Sequence, residues 1–94
     1  MALYAVIWKY TDDKARIAAA KDPHIDYIKK MVKAGVLLEA GGWRDGSGAL
    51  LVFKVADRAA LQPWLNNDPF TTDGVIVSTE VHDWNVVVGP LAAS

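Results

Sequence analysis

Six segments with two apolar rhythms follow one another in the order strand, helix, strand, strand, helix, strand, and few folds accept that order. Leu3 to Tyr10 is dense in β-branched and aromatic side chains and stops at Thr11-Asp12-Asp13, a turn and capping cluster, which predicts the first strand. Lys14 to Lys21 leads to Asp22-Pro23, an N-cap followed by proline at the first helical position, so a helix is expected from there to about Lys33. Gly35 ends it, and Lys29, Lys30 and Lys33 suit the negative end of its dipole.

Val36 to Trp43 and Ala49 to Val55 flank Arg44-Asp45-Gly46-Ser47-Gly48, whose two glycines permit the positive φ of a hairpin. Asp57 caps a second helix with Leu61, Trp64 and Leu65 on one side, and Pro63 removes one of its internal bonds. Asn66-Asn67-Asp68-Pro69 closes that helix, Gly74 releases the chain, and Val75 to Val87 reads as the last and longest strand. The 94 residues contain no linker, repeat or low-complexity tract, so residues 1–94 are read as one domain. The fold class that follows is α+β: a ferredoxin-like βαββαβ subunit with a four-stranded antiparallel sheet.

Alternation assigns the strand residues to faces, because successive side chains point to opposite sides of a sheet. Tyr4, Val6 and Trp8, Leu51, Phe53 and Val55, and Val75, Val77 and Val81 form an apolar set expected beneath the helices. The other set mixes Leu3, Ala5, Ile7, Leu50, Val52 and Ile76 with Lys9, Lys54, Ser78, Glu80, His82 and Trp84. Such a face suits neither bare solvent nor a dry core, and it fits a subunit interface. Hydrophobic residues make up 52% of a short chain, which points the same way and leads us to expect a homodimer or higher homo-oligomer. Two sheets closing on each other would enclose a part-apolar cavity of the kind that takes a small-molecule substrate.

Charge and composition exclude several classes. Ten basic against eleven acidic residues, with no basic run beyond Lys29-Lys30, leave no footprint for nucleic acid. The absence of cysteine removes thiol catalysis and thiolate metal sites, and two histidines without clustered ligands argue against a metal centre. Ala2 to Trp8 is stopped by Lys9, lacks a basic leader and is far shorter than a span of ~20 residues, so no membrane partner is expected and a cytoplasmic location is. The glycines do not open a helix after a strand and so form no phosphate loop; no cofactor is expected.

His24 falls on helical spacing with Ile17, Ile28 and Met31 and so faces inward. A buried imidazole can simply be satisfied by a carbonyl or carboxylate; the other reading is a general acid/base, which needs a partner to fix its tautomer. A seat at the helix N-terminus would favour its neutral form. Asp68, before Pro69, either caps the turn Phe70-Thr71-Thr72 or reaches His24 and orients it. Ser78, His82 and Arg16 are candidates to contact a substrate, and Trp8, Trp43 or Trp84 to stack on it.

Arg16, the run His24-Ile25-Asp26-Tyr27-Ile28, the run Ala34-Gly35-Val36-Leu37-Leu38-Glu39-Ala40-Gly41, and Asn67-Asp68-Pro69-Phe70 with Gly74 together resemble the YciI-like (YCII-related) family of dimeric α/β-barrel proteins. The likeness covers nearly the whole chain; it departs at Gly42, where the family's usual proline is missing, and in a short connection between the second and third strands. The resemblance implies dimerisation through the sheet and a histidine-aspartate pair in a pocket, here His24 and Asp68. The family includes a dehydrochlorinase of chlorinated hydroxyhydroquinone, and the barrel is similar to that of muconolactone isomerases, so a cofactor-free lyase or isomerase of small oxygenated rings is one implied function. The alternative is a binding or accessory domain in which no bond is broken.

Overall fold

The computed structural model describes residues 1–93. Four strands, β1 (Ala2–Tyr10), β2 (Leu37–Gly42), β3 (Gly48–Val55) and β4 (Ile76–Asp83), form one antiparallel sheet in the order β2-β3-β1-β4. Helices α1 (Lys14–Lys33) and α2 (Arg58–Asn66) cover one face, and a single turn, α3 (Pro69–Thr72), follows α2. The fold is the ferredoxin-like βαββαβ arrangement. Among the described residues no helix is long and apolar enough to cross a membrane.

β1 pairs Tyr4 with Phe53, Val6 with Leu51 and Trp8 with Ala49, which puts these side chains on one face. They pack with Leu37 of β2, Met31 of α1, and Leu61 and Leu65 of α2 in the main core. Phe53, Val6 and Leu61 are wholly buried, and each contributes roughly 1.5–3 kcal/mol relative to exposure. A smaller cluster of Ala20, Phe70 and Val75 fills the end of the layer beside α3. Tyr10, Ile17 and Ile76 pack against it.

Helix α1 begins a full eight residues before Asp22 and runs unbroken through Pro23. Asp13 is its cap, with its carboxylate accepting the Arg16 amide at 3.0 Å. The buried stripe explains the early start: Ile17 and Ala20 extend the His24 face backward and bury Ala20 against Phe70 and Val75. Pro23 costs one bond to the Ala19 carbonyl, but both residues lie on the exposed side, where water reaches that oxygen. His24 is therefore a mid-helix residue, and the helix-terminus argument for its neutral form does not apply to it.

Strand β4 also departs from simple alternation. The register shifts between Lys9, paired with Ser78, and Tyr10, paired with Ile76, so Val77 has no partner and bulges out. Val77, expected in the core, is 56% exposed, whereas Ile76, expected on the mixed face, packs into the core. The strand ends at Asp83 instead of Val87: Asp83 pairs with Tyr4, and beyond it the Trp84 amide bonds the Leu3 carbonyl at 2.8 Å. Val87 and Val88 lie exposed beyond it.

Candidate functional site

The site is built where α1, α3 and the β1–β3 ribbon converge. His24 projects from the eleventh position of α1 toward the sheet and is 8% exposed; Asp68, at the start of α3, is fully buried. Pro69 at the first helical position holds α3 in place, and Asp68 in extended backbone is its N-cap. His24 Nδ1 lies 2.7 Å from Asp68 Oδ1, across 44 residues of sequence. The same oxygen accepts the Phe70 amide at 2.9 Å. The two readings of Asp68, cap and imidazole partner, are thus one arrangement made by a single atom.

A carboxylate oxygen can only accept, so Nδ1 carries a ring proton, and in the neutral imidazole Nε2 presents its lone pair. Phe70 lies flat on the imidazole, with ring centroids 3.7 Å apart and planes 7° from parallel, and Tyr10 meets Phe70 edge-on at 5.3 Å. Trp8 stands at 6.3 Å from the imidazole, tilted by 53°. The ring is clamped between aromatic surfaces and a carboxylate, which fixes its plane as well as its tautomer. Asp68 Oδ2 is buried with no hydrogen-bond partner. The Asp68 charge adds to burial in raising the Tyr10 hydroxyl above its usual value, and the same two causes raise Tyr27.

His24 opens on a cavity of about 340 Å³, enough for a substituted six-membered ring. Trp8, Tyr10, Ile17, Ile28, Leu51 and Phe70 supply its apolar walls. A larger depression of about 520 Å³ lies over the other face of the sheet, at Trp43, Leu50 and Val52, but it contains no paired titratable groups.

The structure brings together His24, Asp68 and Trp8. It separates them from the remaining candidates. Ser78 and His82 pair with Lys9 and Ala5, which places them on the face of the sheet turned away from His24, and there His82 contacts Glu80 at 3.2 Å. Arg16 sits outside the cavity: its guanidinium lies 3.7 Å from Asp13 and rests over Gly74. The cation lining the cavity is Lys21. Its spacing of three residues before His24 was a usable signal, masked by reading residues 14–21 as a lead and not as helix. Phe70 belongs to the segment that carries the family resemblance, but its stacking on the imidazole could not be read from it, since stacking depends on how α3 docks against α1. Among the described residues no three metal-ligating side chains cluster.

Fold and site together define a ferredoxin-like domain with a buried histidine-aspartate pair opening on an apolar pocket. The YCII-related domain matches residues 2–85, and the chain belongs to that family. A 5-chloro-2-hydroxyhydroquinone dehydrochlorinase from Burkholderia phenoliruptrix AC1100, solved with 2,5-dihydroxybenzoquinone, superposes with a TM-score of 0.77 at 18% identity, over 87% of this chain and 92% of that one. An antibiotic biosynthesis monooxygenase superposes with a TM-score of 0.62 at 15% identity, over 92% of this chain and 99% of that one. At these identities the likeness is one of fold. No functionally curated protein matches the sequence.

Proposed function

We propose that this protein is a cofactor-free lyase or isomerase of small oxygenated ring compounds, most concretely one that eliminates HCl from a chlorinated hydroxyhydroquinone. The observation that carries the reading is the imidazole held by Asp68 at Nδ1 while Nε2 is left free beside an apolar cavity of ring size. That is the arrangement of a general base with its orienting group. The structural neighbour's activity on a chlorinated hydroxyhydroquinone gives the substrate class by analogy.

In this mechanism His24 Nε2 takes the proton of the hydroxyl beside the chlorine-bearing carbon and returns it to that carbon, giving a keto tautomer with a tetrahedral C–Cl centre. It then takes the proton of the hydroxyl para to the new carbonyl. The electron pair left on that oxygen forms the second carbonyl, the ring double bond shifts, and chloride departs. The products are a hydroxybenzoquinone, chloride and a proton, with no external oxidant. Asp68 stabilises the imidazolium at each stage, and Trp8 and Phe70, both in the cavity wall, offer aromatic surface to the ring.

The test is chloride release from the chlorinated substrate. General acid/base catalysis supplies ~10²- to 10⁴-fold, so His24→Ala is expected to lower turnover by about that factor. Unchanged turnover in that variant would remove His24 from the mechanism. Saturable binding by the wild type without chloride release would instead make the domain a binder. We further propose that two subunits associate through the uncovered sheet face, where Ile7 and Leu50 remain half-buried beside charged neighbours. Ser78 and His82 would then line the space between sheets, separate from the His24 pocket.

A further inference from the structure

One full charge lines the His24 cavity, and the mechanism above does not use it. Lys21 precedes His24 by three residues on the same face of α1 and forms no ion pair among the described residues. The neighbouring cation on the helix, Arg16, is drawn toward Asp13 instead. The end of β2 also borders the cavity. Ala40 and Gly42 pair with Leu51 and Ala49, so these two positions face the cavity. A Cβ at Gly42 would meet only the Gly48 carbonyl oxygen, at 3.6 Å.

The cavity is therefore a slot bordered by Lys21 on the α1 side and by the almost bare backbone of Ala40, Gly41 and Gly42 on the β2 side, with Trp8 and the imidazole among its walls. A flat apolar body passes such a slot, and the feature that an unpaired ammonium adds is attraction for negative charge on an outer oxygen. We propose that Lys21 is the anion-binding residue of this cavity and selects ring compounds ionised on oxygen, namely acidic phenols and hydroxyquinones, whose charge spreads over a planar ring. The inference rests on reading the His24 cavity as a ring-binding site.

4-Nitrophenol tests it, because one molecule supplies the neutral and the anionic ligand and its visible absorbance reports which is bound. Titrations of the full chain across neutral pH are expected to give tighter binding of the phenolate than of the phenol. In Lys21→Met the phenolate affinity should fall about fivefold, the size of a partly exposed charge contact, with phenol affinity changed less than about twofold. Lys21→Arg should restore the preference, and added salt should weaken phenolate binding in the wild type but not in Lys21→Met. Gly42→Phe, which fills the slot, should abolish binding of both forms.

An undiminished phenolate preference in Lys21→Met overturns the assignment and leaves the ring site intact. Full affinity in Gly42→Phe places the ligand elsewhere and overturns it as well. A wild type that binds neither form overturns both the assignment and the ring-site reading beneath it.

Discussion

Asp68 joins two elements through one atom: Oδ1 holds the imidazole and caps α3, while Oδ2 is buried without a partner. Removing the side chain leaves the imidazole N–H and the Phe70 amide unsatisfied in the interior, so Asp68→Ala should destabilise the fold by roughly 2–4 kcal/mol in a denaturant titration. Asp68→Asn keeps the shape and the acceptor but cannot balance an imidazolium. It should stay folded and lose turnover by about a hundredfold or more. Tyr10 makes a separate prediction for alkaline pH. Burial, and then the Asp68 charge, raise its hydroxyl above the ordinary value of 10.0, so the unfolded chain loses that proton first. Stability is whole below that value and falls as pH climbs toward the higher folded value. Tyr10→Phe should flatten that slope in pH-dependent melts, and Tyr27, raised by the same two causes, accounts for part of what remains.

The elements are legible to different degrees. Strands β1 and β3 could be read from alternation because one face of each packs on a single core, and the Asp57 cap and the hairpin turn are local chemistry, although of the two hairpin glycines Gly46 alone has positive φ. The start of α1 could not, since Asp22-Pro23 is a genuine local start signal that Asp13 and the burial of Ala20 override. The shift in β4 was likewise hidden: a bulge is set by how one strand meets its neighbour, and Val77 and Ile76 exchange sides because of it. Gly48 ties the ribbon together at close range. A Cβ there would stand 1.9 Å from the Trp8 carbonyl oxygen, a backbone atom that cannot swing aside, so the β1–β3 pairing must open to admit it. Gly48→Ala should therefore cost roughly 3 kcal/mol or more, measured as a lowered unfolding midpoint, despite the small change in side chain.

For the molecule as a whole, the layer of helices leaves one sheet face uncovered, and the proposed subunit contact lies there. Leu50 and Ile7 are neighbours on that face, paired across β1 and β3. In light scattering after size exclusion the wild type should run at twice the subunit mass. Leu50→Glu should reduce it to a single subunit without moving His24 or Asp68, which lie on the other side of the sheet. A monomeric wild type at micromolar concentration would reject the interface.

What the sequence determined by itself was the order of elements and the inward aim of His24, because both follow from short-range periodicity and capping. It also carried Asp68 as a cap, a contact spanning only two residues. Tertiary structure alone decided that the same carboxylate meets an imidazole 44 positions away, that Phe70 stacks on it, and that Lys21, not Arg16, borders the cavity. Those contacts depend on how α1 and α3 dock on the sheet, a matter of packing between distant segments that no local pattern encodes.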